Sequence, residues 1–169
     1  MNNPFFLFHT KNGDFMKILI TGSSSGIGFD TGVRLLKKGH FVYFTVHLDS
    51  QIETLIEKLK ELNLLKNASV FKLDITDIED RKLIYQLDVD CLLCNAAVGY
   101  GGSVLDIPIS HLEENFKVNV FSNIELIQMY CGHLFLEKKQ GKIVVMSSIA
   151  GIIPIPFLGS YCATKASLI

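Results

Sequence analysis

The sequence predicts an α/β protein whose parallel β-sheet is doubly wound, with helices covering both faces in three layers. Three observations support this prediction. Five short apolar runs alternate with helical patterns along the 169 residues, and strands that are separated by helices pair in parallel through right-handed crossovers. A glycine-rich turn joins the first run to the first helix. Hydrophobic residues make up 49% of the chain, which suits a sheet that is buried on both faces.

The first half of the chain predicts three strands and three helices. Apolar or β-branched runs predict strands at Lys17–Thr21, His40–Val46 and Ser69–Leu73. Helical spacing of apolar residues predicts helices from the glycine turn to Lys38, over Ser50–Leu62 and over Asp77–Leu87. Ser50 is the expected N-cap of the second helix, and Gly39 is expected to end the first.

The second half predicts two further strands and two helices. The strands are predicted over the apolar runs Val89–Cys94 and Lys142–Ser147. Ser110 and Glu113 form a capping box, which predicts a long helix from there to about Lys138. A last helix is predicted to start at Ser160. Residues 17–169 are expected to form one domain after a tail of residues 1–16, where Met16 is an alternative start.

Charge and composition exclude several functions. The formal net charge is −1 and no basic block occurs, so nucleic acid is not an expected partner. The apolar run Pro4–Phe8 is too short to span a membrane and has no basic leader. Cys91 and Cys94 lie three residues apart in a predicted strand and face opposite sides, which favours buried packing cysteines over a metal or redox site. A reducing, cytoplasmic location is expected.

Two local patterns indicate chemistry. The turn Thr21–Gly28 (TGSSSGIG) sits between a strand and a helix, where glycines let the backbone approach a diphosphate at the helix N-terminus. An ordinary tight loop is the alternative, because the spacing is not G-x-G-x-x-G and the lysine of a P-loop is absent. Tyr161 and Lys165 lie one helical turn apart on the same face. A neighbouring ammonium favours the phenolate, so the tyrosine can act as an acid or base.

These motifs resemble, in order, those of the short-chain dehydrogenase/reductase family. They are the glycine turn Thr21–Gly28, the run Asn95-Ala96-Ala97, Asn119, Ser148 and Tyr161-x-x-x-Lys165. The resemblance covers residues 17–169 and implies a Rossmann-like domain that binds NAD(P)(H). It also implies a hydride-transfer enzyme that interconverts a hydroxyl and a carbonyl on a small alcohol or ketone. Within the family, the motifs look like those of hydroxysteroid and retinol dehydrogenases.

The resemblance implies four catalytic residues. Tyr161 would be the acid or base at the reacting oxygen, and Lys165 would lower the pKa of Tyr161 and bind the nicotinamide ribose. Ser148 would hydrogen-bond the reacting oxygen, and Asn119 would hold a water that links Lys165 to solvent. Taken one at a time, three of the four have a local alternative: Tyr161 could start a helix, Ser148 could cap a loop and Asn119 could be a solvated polar residue.

The resemblance also implies a set of cofactor-binding residues. They are Gly22, Ser24, Ser25, Gly26, Ile27, Gly28, His47, Asp74, Ile75, Asn95, Ala96, Ala97, Tyr161 and Lys165. Asp74 would meet the adenine ring, with helix capping as the alternative. Ala97 stands where the family usually has glycine, which narrows the backbone freedom beside the cofactor.

The choice between the two cofactors depends on the end of the second strand. Val46 stands where an acid would hold the 2′-hydroxyl of NAD, and it cannot accept a hydrogen bond. His47 stands where phosphate-binding relatives often carry arginine, and Ser25 adds a hydroxyl. The sequence therefore favours NADP(H) over NAD(H), while Asp49 could still reach the ribose.

The resembled family extends beyond Lys165 with a longer helix, two more strands and a substrate lid. The domain is therefore expected to be incomplete at its C-terminus, and the homo-oligomer that family analogy predicts is in doubt for this chain. A non-catalytic nucleotide-binding remnant or interaction module is the alternative to an enzyme. Val98–Ile109 and Ile149–Gly159 are expected to line the near side of an apolar substrate pocket.

Overall fold

A five-stranded, all-parallel sheet forms the centre of the protein. The computed structural model describes residues 15–138 and 140–169. The strands are β1 (Lys17–Ile20), β2 (Phe41–Val46), β3 (Ala68–Lys72), β4 (Cys91–Cys94) and β5 (Lys142–Val145). Their order across the sheet is β3-β2-β1-β4-β5. The predicted doubly wound, three-layer architecture is confirmed.

Seven α-helices connect or follow these strands among the described residues. They are α1 (Gly26–Lys37), α2 (Ser50–Glu61), α3 (Ile78–Arg81), α4 (Ile109–Phe116), α5 (Asn123–Tyr130), α6 (Leu136–Lys138) and α7 (Gly159–Ala166). Short 3₁₀ turns lie at Leu65–Asn67, Lys82–Gln86 and Ile149–Gly151, and π-helical turns at Lys117–Ser122 and Cys131–Phe135.

The sheet separates two hydrophobic cores because successive side chains of a strand point to opposite faces. In β1, Ile18 and Ile20 pack in the core that α1 and α2 cover. Leu19, between them, packs in the core on the other face, together with Leu126 and Tyr130 of α5. All five of these side chains are almost completely buried, so both faces of the sheet are covered at its centre.

The strand order places a crevice between β1 and β4. The chain leaves β1 toward β2 on one side, whereas β4 lies on the other side of β1. In open α/β sheets, ligands bind at such a switch point, outside the carboxyl ends of the strands. The segments that follow β1 and β4 are the glycine turn and the Asn95-Ala96-Ala97 run.

Several helix predictions need correction. The long helix does not start at a capping box: α4 begins at Ile109 with Pro108 as its N-cap, so Ser110 already lies in the first turn. The long helix is also interrupted by the two π-helical turns. The predicted helix over Asp77–Leu87 is α-helical only in α3 and continues as a 3₁₀ turn, with Asp77 as its N-cap. Asp49, not Ser50, is the N-cap of α2.

The structure confirms that Cys91 and Cys94 are buried packing cysteines. Cys91 packs in one core and Cys94 in the other, on opposite faces of β4. Burial raises the pKa of the Cys94 thiol to about 12, which keeps it protonated and a poor metal ligand. Within the described ranges, no group of histidine, cysteine and acidic residues could hold a metal ion. In the same ranges, no helix combines the length and apolarity that a membrane span requires.

Candidate functional site

The glycine turn lies directly against the segment after β4. Gly22 has a φ of +61°, a conformation that glycine adopts without strain. A Cβ atom on Gly22 would lie 2.8 Å from the Cα of Ala96. Gly28 is equally constrained, since its Cβ would lie 2.6 Å from the Asn95 side-chain nitrogen. Both glycines are therefore needed for packing within the protein.

Side-chain hydrogen bonds join the ends of β1 and β4. The buried Thr21 hydroxyl oxygen accepts from the backbone amides of Asn95 at 2.9 Å and Ala96 at 3.0 Å. The Asn95 side-chain amide donates to the carbonyls of Thr21 at 3.0 Å and Gly22 at 2.8 Å. Asn95, predicted as a cofactor residue, therefore fixes the glycine turn itself.

Ser23 attaches the turn to β2 as well. Its side chain is completely buried. The hydroxyl donates to the carbonyls of Ile20 and Thr45 at 3.1 and 3.2 Å and accepts from the Thr45 amide at 2.8 Å. Ser23 was not among the predicted site residues, because a serine between two others gives no signal of burial.

A cleft of about 470 Å³ opens beside the turn. Nine of the predicted cofactor residues line it: Gly22, Ser24, Ser25, His47, Asp74, Ile75, Asn95, Ala96 and Ala97. The other members of the predicted set are not part of this lining. Among them, Gly26 and Ile27 are exposed at the start of α1, whereas Gly28 is buried beneath the turn.

The N-terminus of α1 places a partial positive charge at one end of the cleft. Ser25 is the N-cap of this twelve-residue helix, but its side chain makes no capping hydrogen bond. No acidic residue occupies the first turn. The amide groups and the helix dipole are therefore not neutralised locally, which suits a phosphate group.

Asp74 does not cap the following helix, which was the alternative that the sequence left open. Its Oδ1 accepts from the amide and the hydroxyl of Thr76, at 2.9 and 2.8 Å. It also lines the cleft, next to Ile75. The local hydrogen bonds fix the carboxylate in place, while the N-cap of the following helix is Asp77.

At the end of β2, the three residues that bear on cofactor preference differ in their exposure and in whether they line the cleft. Val46 is buried at 1% exposure, so it offers nothing to a ligand. His47 is exposed and lines the cleft. Asp49 is the N-cap of α2 and is not among the residues that line the cleft.

Helix α7 presents Tyr161 and Lys165 on one face. Lys165 is only 3% exposed, and its ammonium donates to the Met146 carbonyl, just after β5, at 2.9 Å. Its Nζ lies 5.7 Å from the centre of the Tyr161 ring. Burial lowers the pKa of Lys165 below its ordinary value. The Tyr161 ring also lies against Gly99, where an added Cβ would be 3.4 Å from the ring.

Two asparagines on the long helix connect α7 to the loop after β4. Asn119 is completely buried; its side chain accepts from the Val98 amide and donates to the Val98 carbonyl, each at 2.8 Å. It also donates to the Thr164 hydroxyl at 3.0 Å. Asn119 is therefore not a solvated surface residue, and it lies in a π-helical turn, a feature often found at functional sites.

Asn115 makes the same pattern one turn earlier. It is also completely buried, accepts from the Tyr100 amide at 3.0 Å and donates to the Tyr100 carbonyl at 2.9 Å. Its amide donates to the Ser160 hydroxyl at 2.7 Å, beside Tyr161. We refer to Asn115 and Asn119 together as the asparagine pair. Asn115 was not predicted from the sequence, although its i, i+4 spacing from Asn119 was a usable signal.

Ser148 lies in the segment between β5 and α7. Its hydroxyl oxygen accepts from the Ala150 amide at 3.1 Å and caps the 3₁₀ turn Ile149–Gly151. Local capping, the alternative that the sequence left open, is therefore observed. This bond uses an acceptor site of the hydroxyl and leaves its proton available for donation.

A second, more apolar cavity of about 440 Å³ lies next to α7. It is formed between the two segments that were expected to line a substrate pocket. Its lining includes Ile107, Leu112, Ile155, Pro156 and Phe157. Ile152, Ile153 and Pro154, which were expected to contribute, are not part of this lining.

Comparison with known proteins identifies the family. The family model of the short chain dehydrogenases matches residues 16–169. The chain belongs to this family. Short-chain dehydrogenases are NAD(P)-dependent oxidoreductases, and the crevice between β1 and β4 is where a doubly wound sheet holds a dinucleotide.

Individual relatives agree with this assignment. The chain is 36% identical over 158 residues to the Helicobacter pylori protein described as "Probable short-chain type dehydrogenase/reductase VdlC", covering 89% of this chain and 54% of the relative. It is 29% identical over 153 residues to an NADPH-dependent 3-dehydrocapnine reductase of Ornithobacterium rhinotracheale, covering 87% and 54%.

Solved structures show the same fold. An actinorhodin polyketide ketoreductase solved with NADPH superposes with a TM-score of 0.84 at 22% identity, covering 94% of this chain and 63% of that chain. This short-chain dehydrogenase spans about half the length of the curated relatives that it matches.

Proposed function

We propose that the protein is an NAD(P)(H)-dependent oxidoreductase that interconverts a hydroxyl and a carbonyl, with Tyr161 as the acid or base. The observation that carries the proposal is the arrangement on α7. Tyr161 packs against the loop after β4, whose Val98 and Tyr100 line the cleft. Lys165 is buried one turn below it.

The described residues fit a dinucleotide. The glycine turn, the uncapped N-terminus of α1 and the cleft lined by His47 and Asp74 provide a phosphate-binding end and a path along the strand ends. When bound, the nicotinamide supplies or accepts the hydride. The domain that carries out this binding is proposed to be residues 17–169.

Tyr161 is the proposed proton donor and acceptor. In the direction of reduction, its phenol would donate to the carbonyl oxygen of the substrate, and in oxidation the phenolate would accept the proton. The Lys165 ammonium, positioned by the Met146 carbonyl, would attract the negative charge that develops on the Tyr161 oxygen during the proton transfer. Since the site is largely dehydrated around Lys165, this attraction is stronger than it would be in water.

Ser148 and Asn119 are proposed to support this transfer. The Ser148 hydroxyl would donate a second hydrogen bond to the reacting oxygen, which polarises the carbonyl. Asn119 contacts Thr164 directly, next to Lys165. In the proposed relay, a water near Asn119 would connect Lys165 to solvent.

The proposed substrate is a small apolar alcohol or ketone, and NADP(H) is the favoured cofactor. The apolar cavity beside α7 supports the substrate class. An exposed His47 and a buried Val46 at the end of β2 support the cofactor preference, as does the NADPH dependence of the Ornithobacterium relative.

Replacement of Tyr161 by phenylalanine tests the proposal. We expect Tyr161→Phe to lower the turnover of apolar ketones with NADPH by at least about 100-fold, because it removes the general acid. Binding of NADP⁺, measured by calorimetry, should remain. Tyr85→Phe is the matched control, since Tyr85 is exposed and its ring contacts His133, away from the cleft.

Turnover that survives Tyr161→Phe would contradict the mechanism. Nucleotide binding by the unaltered protein without any turnover would instead favour a nucleotide-binding module.

A further inference from the structure

Two side-chain hydroxyls line the apolar cavity beside α7. They belong to Ser103 and Ser160, and none of the other described residues that line this cavity has a polar or charged side chain. Ser160 lies in the first turn of α7, directly before Tyr161. In a mostly apolar cavity, a few polar groups decide the orientation of a ligand, so the hydrogen bonds of these two hydroxyls matter for the choice of substrate.

Asn115 determines the direction of its hydrogen bond to Ser160. The Tyr100 amide can only donate, so the Asn115 side-chain oxygen is its acceptor, at 3.0 Å. The Tyr100 carbonyl can only accept, and it binds the Asn115 side-chain NH₂ group at 2.9 Å. The same NH₂ group donates to the Ser160 oxygen at 2.7 Å. Because Asn115 is completely buried, rotation of its amide would leave buried groups unpaired.

The Ser160 hydroxyl is therefore an acceptor toward Asn115, and its own proton is left for another partner. In the part of the chain that the structure describes, this hydroxyl donates to no protein acceptor. A wholly apolar ligand that covered Ser160 would leave the proton unpaired, which is unfavourable. A ligand with an acceptor oxygen at this point would pair with it.

Ser103 has no comparable constraint. Its hydroxyl oxygen accepts from the Leu105 amide at 3.2 Å, within the same exposed loop. Water can therefore satisfy the Ser103 proton, whereas Ser160 is oriented by a buried amide.

We propose that Ser160 is a specificity-determining residue that donates a hydrogen bond to an acceptor oxygen on the apolar body of the substrate. The inference rests on the proposed function, because it presumes a carbonyl that reacts at Tyr161. It narrows the substrate class to ketones that carry a second oxygen, such as that of an ester, close to the reacting carbonyl. Ser160 and Tyr161 are consecutive, with Cα atoms about 3.8 Å apart, so one small ligand can contact both.

The test compares the reduction of two keto esters by NADPH, ethyl acetoacetate and ethyl levulinate, with that of methyl ketones of the same chain length. The measured quantity is the ratio of kcat/KM for the keto ester to kcat/KM for the methyl ketone. Partial unfolding lowers both values equally and leaves this ratio unchanged. We expect Ser160→Ala to lower the ratio about fivefold for at least one keto ester, as for the loss of one neutral hydrogen bond.

Two further variants serve as controls. Ser167 lies just after α7, is exposed, and its hydroxyl donates to the Ala163 carbonyl at 2.9 Å, so Ser167→Ala should leave the ratio unchanged. Ser160→Thr keeps the hydroxyl and should keep most of the preference for the keto ester.

The outcomes separate the inference from the proposed function. If the unaltered protein reduces these ketones but Ser160→Ala changes no ratio, the assignment of Ser160 is wrong and the proposed function stands. A ratio that falls in Ser103→Ala instead of Ser160→Ala would also overturn the assignment. If the unaltered protein reduces none of the methyl ketones or keto esters, the proposed function and the inference are both wrong.

Discussion

At the scale of single residues, the burial of Lys165 that its proposed function requires also lowers the stability of the protein. An ammonium that is 3% exposed has lost most of its hydration, and its hydrogen bond to the Met146 carbonyl replaces only part of it. The buried charge can act on Tyr161 more strongly than an exposed one could. The same burial lowers the pKa of Lys165 and makes the folded state less stable where the lysine is charged.

The pH dependence of the unfolding free energy should reveal how much the buried, charged Lys165 destabilises the folded state. Because the pKa of Lys165 is lower in the folded protein than its ordinary value of 10.5, the unfolded chain binds the proton more tightly. The free energy of unfolding should therefore rise as the pH increases from the lowered pKa to 10.5. Within that range, the rise should approach about 1.4 kcal/mol for each pH unit.

Urea unfolding of the unaltered protein and of Lys165→Met, at several pH values between about 7 and 10, measures this difference. Subtracting the variant removes the titration of the other lysines. We expect the difference in unfolding free energy to move in favour of the unaltered protein as the pH rises. A difference that is constant with pH would mean that burial does not perturb Lys165.

At the scale of secondary-structure elements, the asparagine pair connects three segments of the site. Each asparagine binds the amide and the carbonyl of one loop residue, Tyr100 or Val98, and reaches a hydroxyl on α7. The pair therefore fixes the rotation and height of α7 relative to the loop that lines the cleft. The position of Tyr161 depends on this connection.

Replacement of Asn115 by alanine should lower the free energy of unfolding. Asn115→Ala leaves the Tyr100 amide and carbonyl without their side-chain partner, and we expect about 1–3 kcal/mol lower stability in urea unfolding. Gln128→Ala, at an exposed position of α5, should change stability by less than about 0.5 kcal/mol. Stability of Asn115→Ala equal to that of the Gln128 control would show that the loop and α7 do not depend on this contact.

The strands could be predicted from the sequence, whereas the contacts of the asparagine pair and the start of α4 could not. The five strands were predicted within two residues because each is a short apolar or β-branched run between helical patterns. The asparagine pair and the π-helical turn at Asn119 depend on partners about fifteen to forty-five residues away, and local spacing does not specify such partners. The start of α4 was wrong for a different, local reason: the N-cap is Pro108, two residues before the predicted cap Ser110.

At the scale of the whole molecule, β5 is the least covered strand of the sheet. It pairs only with β4 among the described residues, and its central residues Ile143 and Val144 are 36% and 44% exposed. Adjacent residues of a strand point to opposite faces, so both faces of β5 are partly open. An exposed, apolar edge strand favours pairing between chains.

Self-association of the 169-residue protein should therefore depend on β5. We expect the apparent mass from light scattering to rise with protein concentration, and Val144→Lys to shift it toward the monomer, because a charge on an edge strand opposes pairing. Leu136→Lys removes an exposed apolar side chain from α6 and should have little effect. An equal response to both substitutions would indicate general hydrophobic association instead of strand pairing.

The hydrogen bonds of the glycine turn have a further consequence for how the proposed dinucleotide would bind. Thr21, Ser23 and Asn95 connect this turn to β1, β2 and β4 through buried or partly buried hydrogen bonds, so a displacement of the turn would break contacts with three strands. The binding-competent backbone is then the main population before any ligand arrives. Affinity is not reduced by a rare competent state, and a dinucleotide should associate in one step, at a rate proportional to its concentration.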